Sequence, residues 1–444
     1  MRGLRSTIFL LLVLVGLGAY IYWAVPESDS APDVDHVFEA LEPNSVVELT
    51  LTTSAGDVTN LEKDGEDWRI AAPVTAPASS SEASSLTRTL ESLELVRVVE
   101  EDPTGLDQYG LDSPQITIEF RSTQEGRSGK LIIGDQTPTG DNLYAMREGE
   151  SQIFLIPSFQ KSSFERSTFD LRDKSVVKFA RDRVTGVTVE QADSRFQLDK
   201  RDGAWTLTQP VGARADNGTI EGLVGRLETT QMKSVVADEA TPDDLQEYGL
   251  DSPVISITLD GTDASLLVGN DASDEEVYAK DAAGSVIFTV ETSLADDLRR
   301  GANEYRRRDM FDFRAYNATR AEFTRDGQTV VFEQVPADGD DAQDTWRRVS
   351  PAPADVERSA IDTLLVGLVD IRAVEFVNST ENTGLGLPIL SVFVAFEDGQ
   401  KEERVVFGRQ GDEVYASRPD DAGAALVDSE KVDEVIKRLE ELIK

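Results

Sequence analysis

The chain is 444 residues long and sets 44 Lys and Arg against 83 Asp and Glu, a formal net charge of −39. That length exceeds one ordinary core and points to roughly two to four domains, and the acidity sets the surface against nucleic-acid phosphates and anionic head groups. There is no cysteine, which excludes disulfides, thiolate metal sites and cysteine nucleophiles, and one histidine, on which any histidine chemistry would have to rest.

Residues 1–7 carry Arg2 and Arg5, and residues 8–25 read IFLLLVLVGLGAYIYWAV, a run without a charge that is long enough to cross a bilayer as a helix. Glu27, Asp29, Asp33 and Asp35 follow it. The positive-inside rule then predicts a cytoplasmic N-terminus and an extracytoplasmic, periplasmic remainder. Tyr20, Tyr22 and Trp23 gather at the outer end, where amphipathic rings favour the interface. A cleaved signal peptide is the competing reading, but the bulky aromatics between Ala19 and Ala24 make a poor cleavage site. The expectation is therefore an uncleaved signal anchor in the cytoplasmic (inner) membrane. Residues 26–43, rich in Pro, Asp, Glu and Ser, read as a stalk, and the lone His36 lies in it beside Asp33 and Asp35.

Beyond the stalk the chain repeats itself three times. Each copy opens on alternating apolar residues, VVELTL, VTGVTVE or RAEFTR, and reaches a tryptophan in a strand-like setting: Trp68, Trp205 and Trp346. A helical stripe follows, with Leu86, Leu90 and Leu93, then Ile220, Leu223 and Leu227, then Ile361, Leu364 and Leu368. After it come a short extended piece, an alternating strand, a turn, and a strand ending in glycine (KLIIGD, SLLVGN, RVVFGR). A strand around Tyr144, Tyr278 or Tyr415, an apolar run and a last helix close each copy. The predicted fold class is α+β: an N-terminal transmembrane helix, then three tandem, mainly antiparallel-sheet modules, each with packed helices. The modules are expected at residues 44–178, 179–314 and 315–444, with LRDKSVVKF and RRRDMFDF as joints.

The hexapeptide YGLDSP stands at residues 109–114 and returns at 248–253. Gly110 can adopt the left-handed conformation that ends a helix, which places Leu106 and Leu111 where a Schellman motif wants its apolar pair. Leu245, Gly249 and Leu250 repeat this. Asp112 or Asp251 can hold a turn, and Pro114 or Pro253 starts the next extended segment. Tyr109 and Tyr248 precede the glycines. The third copy, TGLGLP, keeps only Gly384, Leu385 and Pro388. A device that tolerates such drift reads as structural. A ligand loop built on Tyr109 and Asp112 is the functional alternative.

No phosphate-cradling loop, dinucleotide fingerprint or nucleophile elbow is present. The acidic DGDDAQD at 338–344 lacks the spacing of a calcium loop. YRRRD at 305–309 is the densest basic run, and either pairs with acids at a module joint or marks a partner surface. No catalytic residue, metal site or cofactor is expected. The anchor together with YGLDSP, LIIGDQTPTGDNLYA and FDLRDKSVVKF resembles the bacterial family catalogued as domain of unknown function 4340, over nearly all the chain after the stalk. The resemblance implies an auxiliary component of ABC-type export systems, including those linked to gliding motility, and no catalytic residues. The expected function is a membrane-anchored binding or scaffold protein with a membrane-protein partner such as an ABC-type transport complex. An extracytoplasmic glycan- or polymer-binding protein, stacking sugars on Trp68, Trp205 and Tyr144, and a carboxylate-dependent hydrolase are the alternatives.

Overall fold

The structure is a computed structural model and describes residues 35–335 and 344–444. The chain forms two compact units, one ending at Lys174 and the other spanning Ser175–Lys444. The first holds one nine-stranded antiparallel sheet, and the second holds two more with the same strand order.

In module 1 the strands are β1 Val46–Thr52, β2 Val58–Asp64, β3 Asp67–Ala72, β4 Ala76–Pro77, β5 Arg97–Glu100, β6 Ile116–Ser122, β7 Gly129–Gln136, β8 Asn142–Arg147 and β9 Ile153–Pro157. Module 2 repeats them as β10 Gly186–Gln191, β11 Ser194–Arg201, β12 Ala204–Gln209, β13 Ala213–Arg214, β14 Ser234–Ala237, β15 Ile255–Asp260, β16 Ser265–Asp271, β17 Glu276–Asp281 and β18 Ile287–Glu291. Module 3 has β19 Ala318–Arg325, β20 Gln328–Val335, β21 Thr345–Ser350, β22 Ala354–Val356, β23 Ala373–Val377, β24 Leu390–Phe396, β25 Lys401–Gln410, β26 Glu413–Ser417 and β27 Ala424–Val427.

The order β4-β3-β2-β1-β6-β7-β8-β9-β5 dictates two crossings. The chain first meanders out from the centre to β4. It then returns across the sheet through α1, Ser80–Glu91, to reach the far edge at β5. Ser79 caps this helix by accepting from the Glu82 N–H, and Ala83, Leu86 and Leu90 face the sheet. Each buried leucine contributes about 1.5–3 kcal/mol. The segment after β5 must come back from the edge to the centre, and the hexapeptide lies on that second crossing. Residues alternate across a strand. Leu143 and Ala145 join α1 in the core, so Tyr144 presents the opposite face, where the hexapeptide passes.

Modules 2 and 3 use α4, Asn217–Thr229, and α7, Arg358–Val369, for the first crossing. A cis X-Pro bond follows the tryptophan strand in every module, at Pro73, Pro210 and Pro351.

Four expectations are corrected. The fold is three whole sheets with one long crossing helix apiece, not helix-packed modules behind a transmembrane helix. The closing helix breaks into short pieces in module 1, α2 Gln160–Phe164 and α3 Thr168–Leu171, and is brief in module 2, α6 Thr292–Leu298. Only module 3 closes on a long one, α8 Ser429–Ile443. Second, no helix among the described residues is long and apolar enough to cross a membrane. At 15 residues α8 falls short of the roughly 20 a span needs, and the assigned anchor at 8–25 lies outside the described residues. Third, the single-pass inner-membrane localisation built on that anchor therefore has no support in the structure. Fourth, the stalk assignment fails from Asp35 onward. Val37 and Leu41 are buried in the module 1 core, because Val37 N–H bonds the Leu93 carbonyl at 2.8 Å and draws the segment under α1.

Candidate functional site

The recurring residues converge where the hexapeptide crosses the sheet. Gly110 has φ +65°; its N–H bonds the Asp107 carbonyl and the Leu111 N–H bonds the Leu106 carbonyl, each at 3.1 Å. This is the hydrogen-bond pattern of a Schellman ending. It closes a single 3-10 turn, Asp107–Tyr109, rather than an α-helix. In module 2 a true helix, α5 Pro242–Glu247, precedes Gly249 (φ +70°), and Leu250 N–H bonds the Leu245 carbonyl at 2.7 Å. Leu111 and Leu250 are buried. Asp112, Asp251, Pro114 and Pro253 sit in the bend that leads into β6 and β15.

Glycine closes the crossing from below. A Cβ on Gly134 would stand 2.2 Å from the Tyr109 carbonyl oxygen, and one on Gly269 would stand 2.1 Å from that of Tyr248. The strand-ending glycines noted in the sequence are thus the seats of the hexapeptide, a pairing that their distance along the chain conceals. Above them Tyr109 packs edge-on against Tyr144, centroids 4.9 Å apart, and Tyr248 tilts onto Tyr278 at 4.4 Å. The Tyr109 hydroxyl donates to Glu100 Oε2 at 2.7 Å, and that bond raises its pKa above the usual phenol value. In module 3 the place of the tyrosine is taken by Thr383, which is buried, and Gly384 (φ +72°) lies directly on Gly408. There Leu385 is half-buried and Pro388 exposed.

The tryptophans are core residues: Trp68 is 5% exposed, Trp205 3% and Trp346 2%. Trp205 Nε1 donates to Glu221 Oε1 at 2.8 Å, beside Lys200 Nζ at 2.7 Å. The lysine first and the indole second pull the Glu221 carboxyl down to about 2.

The second unit holds a cluster of charge that joins its two sheets. Arg214 donates its backbone N–H to Asp421 at 2.6 Å, and its guanidinium to Asp421, Asp312 and the Asp309 carbonyl. Arg306, in the YRRRD run, is 2% exposed, lies 4.0 Å over the Phe376 ring and donates to the Ala422 carbonyl. Burial lowers its pKa below the ordinary arginine value. Arg418 and Glu403 form a buried pair at 2.7 Å; Arg418 also donates to the Met310 carbonyl, and Glu403 accepts from the Asp312 and Phe313 N–H groups. Arg418 and Glu403 carry no signal in the sequence, because their partners come from the far end of the module.

His36 forms an isolated bridge with Glu94. No group of His, Asp or Glu suited to a metal ion occurs among the described residues. Most of the acidic loop at 338–344 lies outside them.

Fold and site together define a tandem-repeat protein whose repeated letters are packing devices. The chain belongs to the family described as domain of unknown function (DUF4340), whose profile matches residues 68–204 and 205–389, each match opening on a repeat tryptophan. No curated protein sequence matches it. Among solved structures it is similar to a DNA polymerase sliding clamp from Pseudomonas aeruginosa, at 8% identity over 89% of this chain and 93% of that one, TM-score 0.16. A putative DNA polymerase III beta subunit from Eubacterium rectale matches at 6% identity over 88% and 92%, TM-score 0.17.

Proposed function

We propose that this protein acts by binding, as an accessory or scaffold component of an ABC-type transport complex. The observation that supports it is where the repeated residues go. Tryptophans, tyrosines and glycines are spent on the crossing and the core, and what remains for a partner is the acidic, solvated surface. The transport complex follows from the company that the family resemblance implies.

The glycan reading loses its tryptophan platform, since Trp68 and Trp205 are buried, and the half-buried Tyr144 is packed edge-on by Tyr109. A carboxylate hydrolase needs an acid with a raised pKa. Among the described residues the carboxyls shown to shift, Glu221, Asp216, Asp170 and Glu291 among them, move down; hydrogen bonds and cations hold them there, in Asp170 against the opposing effect of burial.

The test is affinity purification of the full chain from cells in mild detergent, with chemical cross-linking. Transport-complex subunits recovered in fixed ratio and cross-linked to this chain are expected. Recovery of the chain alone overturns the proposal.

A further inference from the structure

We propose that the crossing of module 3 carries a docking hollow for an aliphatic side chain, leucine or methionine, presented by a partner protein beside basic residues. This deepens the binding reading and rests on it, but does not depend on which complex the protein joins.

The three crossings differ in how well they are filled. In modules 1 and 2 the leucine after the crossing glycine is covered: Leu111 is 4% exposed and Leu250 3%. Leu385, its counterpart in module 3, is half-buried. Two neighbours account for this. Thr380 stands as far before Leu385 as Leu106 stands before Leu111 and Leu245 before Leu250, so the apolar pair of the helix ending loses one member. On the strands beneath, Ile132 faces Met146 across β7 and β8, and Leu267 faces Lys280 across β16 and β17, whereas Val406 faces Ser417 across β25 and β26. Met146 and the buried Lys280 bring long stems to that place, and Ser417 brings one carbon and a hydroxyl.

The smaller residues leave an open hollow of about 520 Å³, lined by Thr380, Leu385, Gly386, Val406, Ser417 and Pro419 among others. Leu387 stands next to it in the chain, at the position held by Ser113 and Ser252 in the other modules. Its N–H bonds the Gly384 carbonyl at 3.1 Å, and the turn carries its side chain out to 89% exposure. A leucine set in water beside a partly apolar hollow marks a contact surface, since neither feature serves the core.

The other two copies define the occupant. There the chain itself supplies leucine and a methionine or lysine stem at these positions, so the shape left in module 3 suits an aliphatic side chain. Charge decides whose it is. Glu381 follows Thr380 and Asp420 follows Pro419, both exposed, while Arg418 between Ser417 and Pro419 is sealed against Glu403. A second copy of this chain would bring its own acids to the same rim, and the two would repel. A partner whose inserted side chain is flanked by lysine or arginine meets both the hollow and its rim.

The test uses the full chain in cells, with photo-reactive benzoylphenylalanine placed at Leu387 or, for comparison, at Ser113. Cross-linking from position 387 to one partner protein is expected, at a site that has leucine or methionine and lysine or arginine within a few residues, with at least tenfold less from position 113. Thr380→Leu together with Ser417→Met rebuilds the filled crossing of module 1. This pair is expected to leave the melting temperature unchanged or higher and to cut recovery of that partner at least tenfold. Leu387→Ser is expected to cut it several-fold, and Val366→Asp, on the exposed face of α7, to leave it unchanged. Cross-linking to a second copy or to lipid, equal cross-linking from position 113, or recovery indifferent to both the filling pair and Leu387→Ser would each overturn the proposal. Transport-complex subunits still recovered in fixed ratio with the filled chain would sink this site and leave the broader binding reading standing, whereas a native chain recovered alone would sink both.

Discussion

Modules 1 and 3 hold the same opening segment by different means. In each, an arginine three residues beyond the strand tyrosine grips a backbone carbonyl of the segment: Arg147 to Val37 and Arg418 to Met310. In module 1 that arginine is part-exposed, and Phe38 lies edge-on to Phe120 above Gly129. In module 3 Glu403 stands in the place of Gly129, and the arginine is sealed beneath the joint with module 2. A segment whose arginine stays part-exposed can be fixed by apolar packing and one hydrogen bond. A segment pressed between two sheets brings buried N–H groups that must find acceptors, and Glu403 supplies them.

The comparison is broken most directly at Arg418. Arg418→Ala leaves Glu403 buried without its cation, and a loss of about 3–5 kcal/mol is expected in urea unfolding followed by circular dichroism. Gly134→Ala and Gly408→Ala test what the modules share. Each is expected to cost about 1–3 kcal/mol, because backbone rather than a movable side chain occupies the space. A benign Gly408→Ala would show that the divergent third crossing is loose. Arg147→Ala is expected to cost only about 1 kcal/mol, since the arginine is part-exposed and its removal opens a path for water to the Val37 carbonyl. A loss as large as that of Arg418→Ala would erase the distinction between the two segments.

The smallest effect is a pH signature at Tyr109 of module 1. Glu100 raises the folded-state pKa of Tyr109, so its contribution is complete below the unfolded phenol value near 10 and is lost as pH rises through the folded value. The advantage of the native chain over Tyr109→Phe is expected to be flat at neutral pH and to vanish in alkali. Module 3 has Thr383 at that position, and its own glutamate-bonded tyrosine is Tyr415 on the strand, which donates to Glu413 at 2.7 Å.

Much of this was legible because it is local. Alternation marks the strands around Leu49, Val187 and Phe323, and the stripes Leu86–Leu90 and Ile361–Leu364–Leu368 mark the crossing helices; all are buried. The hexapeptide could be read as a helix ending from Gly110 and its flanking leucines alone. The run at 8–25 was read with the same local rules, and no described helix bears it out. The segment at 35–43 misled for another reason. Its composition is that of a linker, but two apolar residues, Val37 and Leu41, suffice to bury it once a sheet and helix stand ready on either side.

By itself, then, the sequence determined the repeat, the strand and helix periods and the residues that turn the chain, since each depends on neighbours within a few positions. Only the tertiary structure decided that Gly134 seats Tyr109 and that Arg418 meets Glu403. Those facts depend on which distant segments a nine-stranded sheet brings within reach, and no short-range pattern in the letters encodes that.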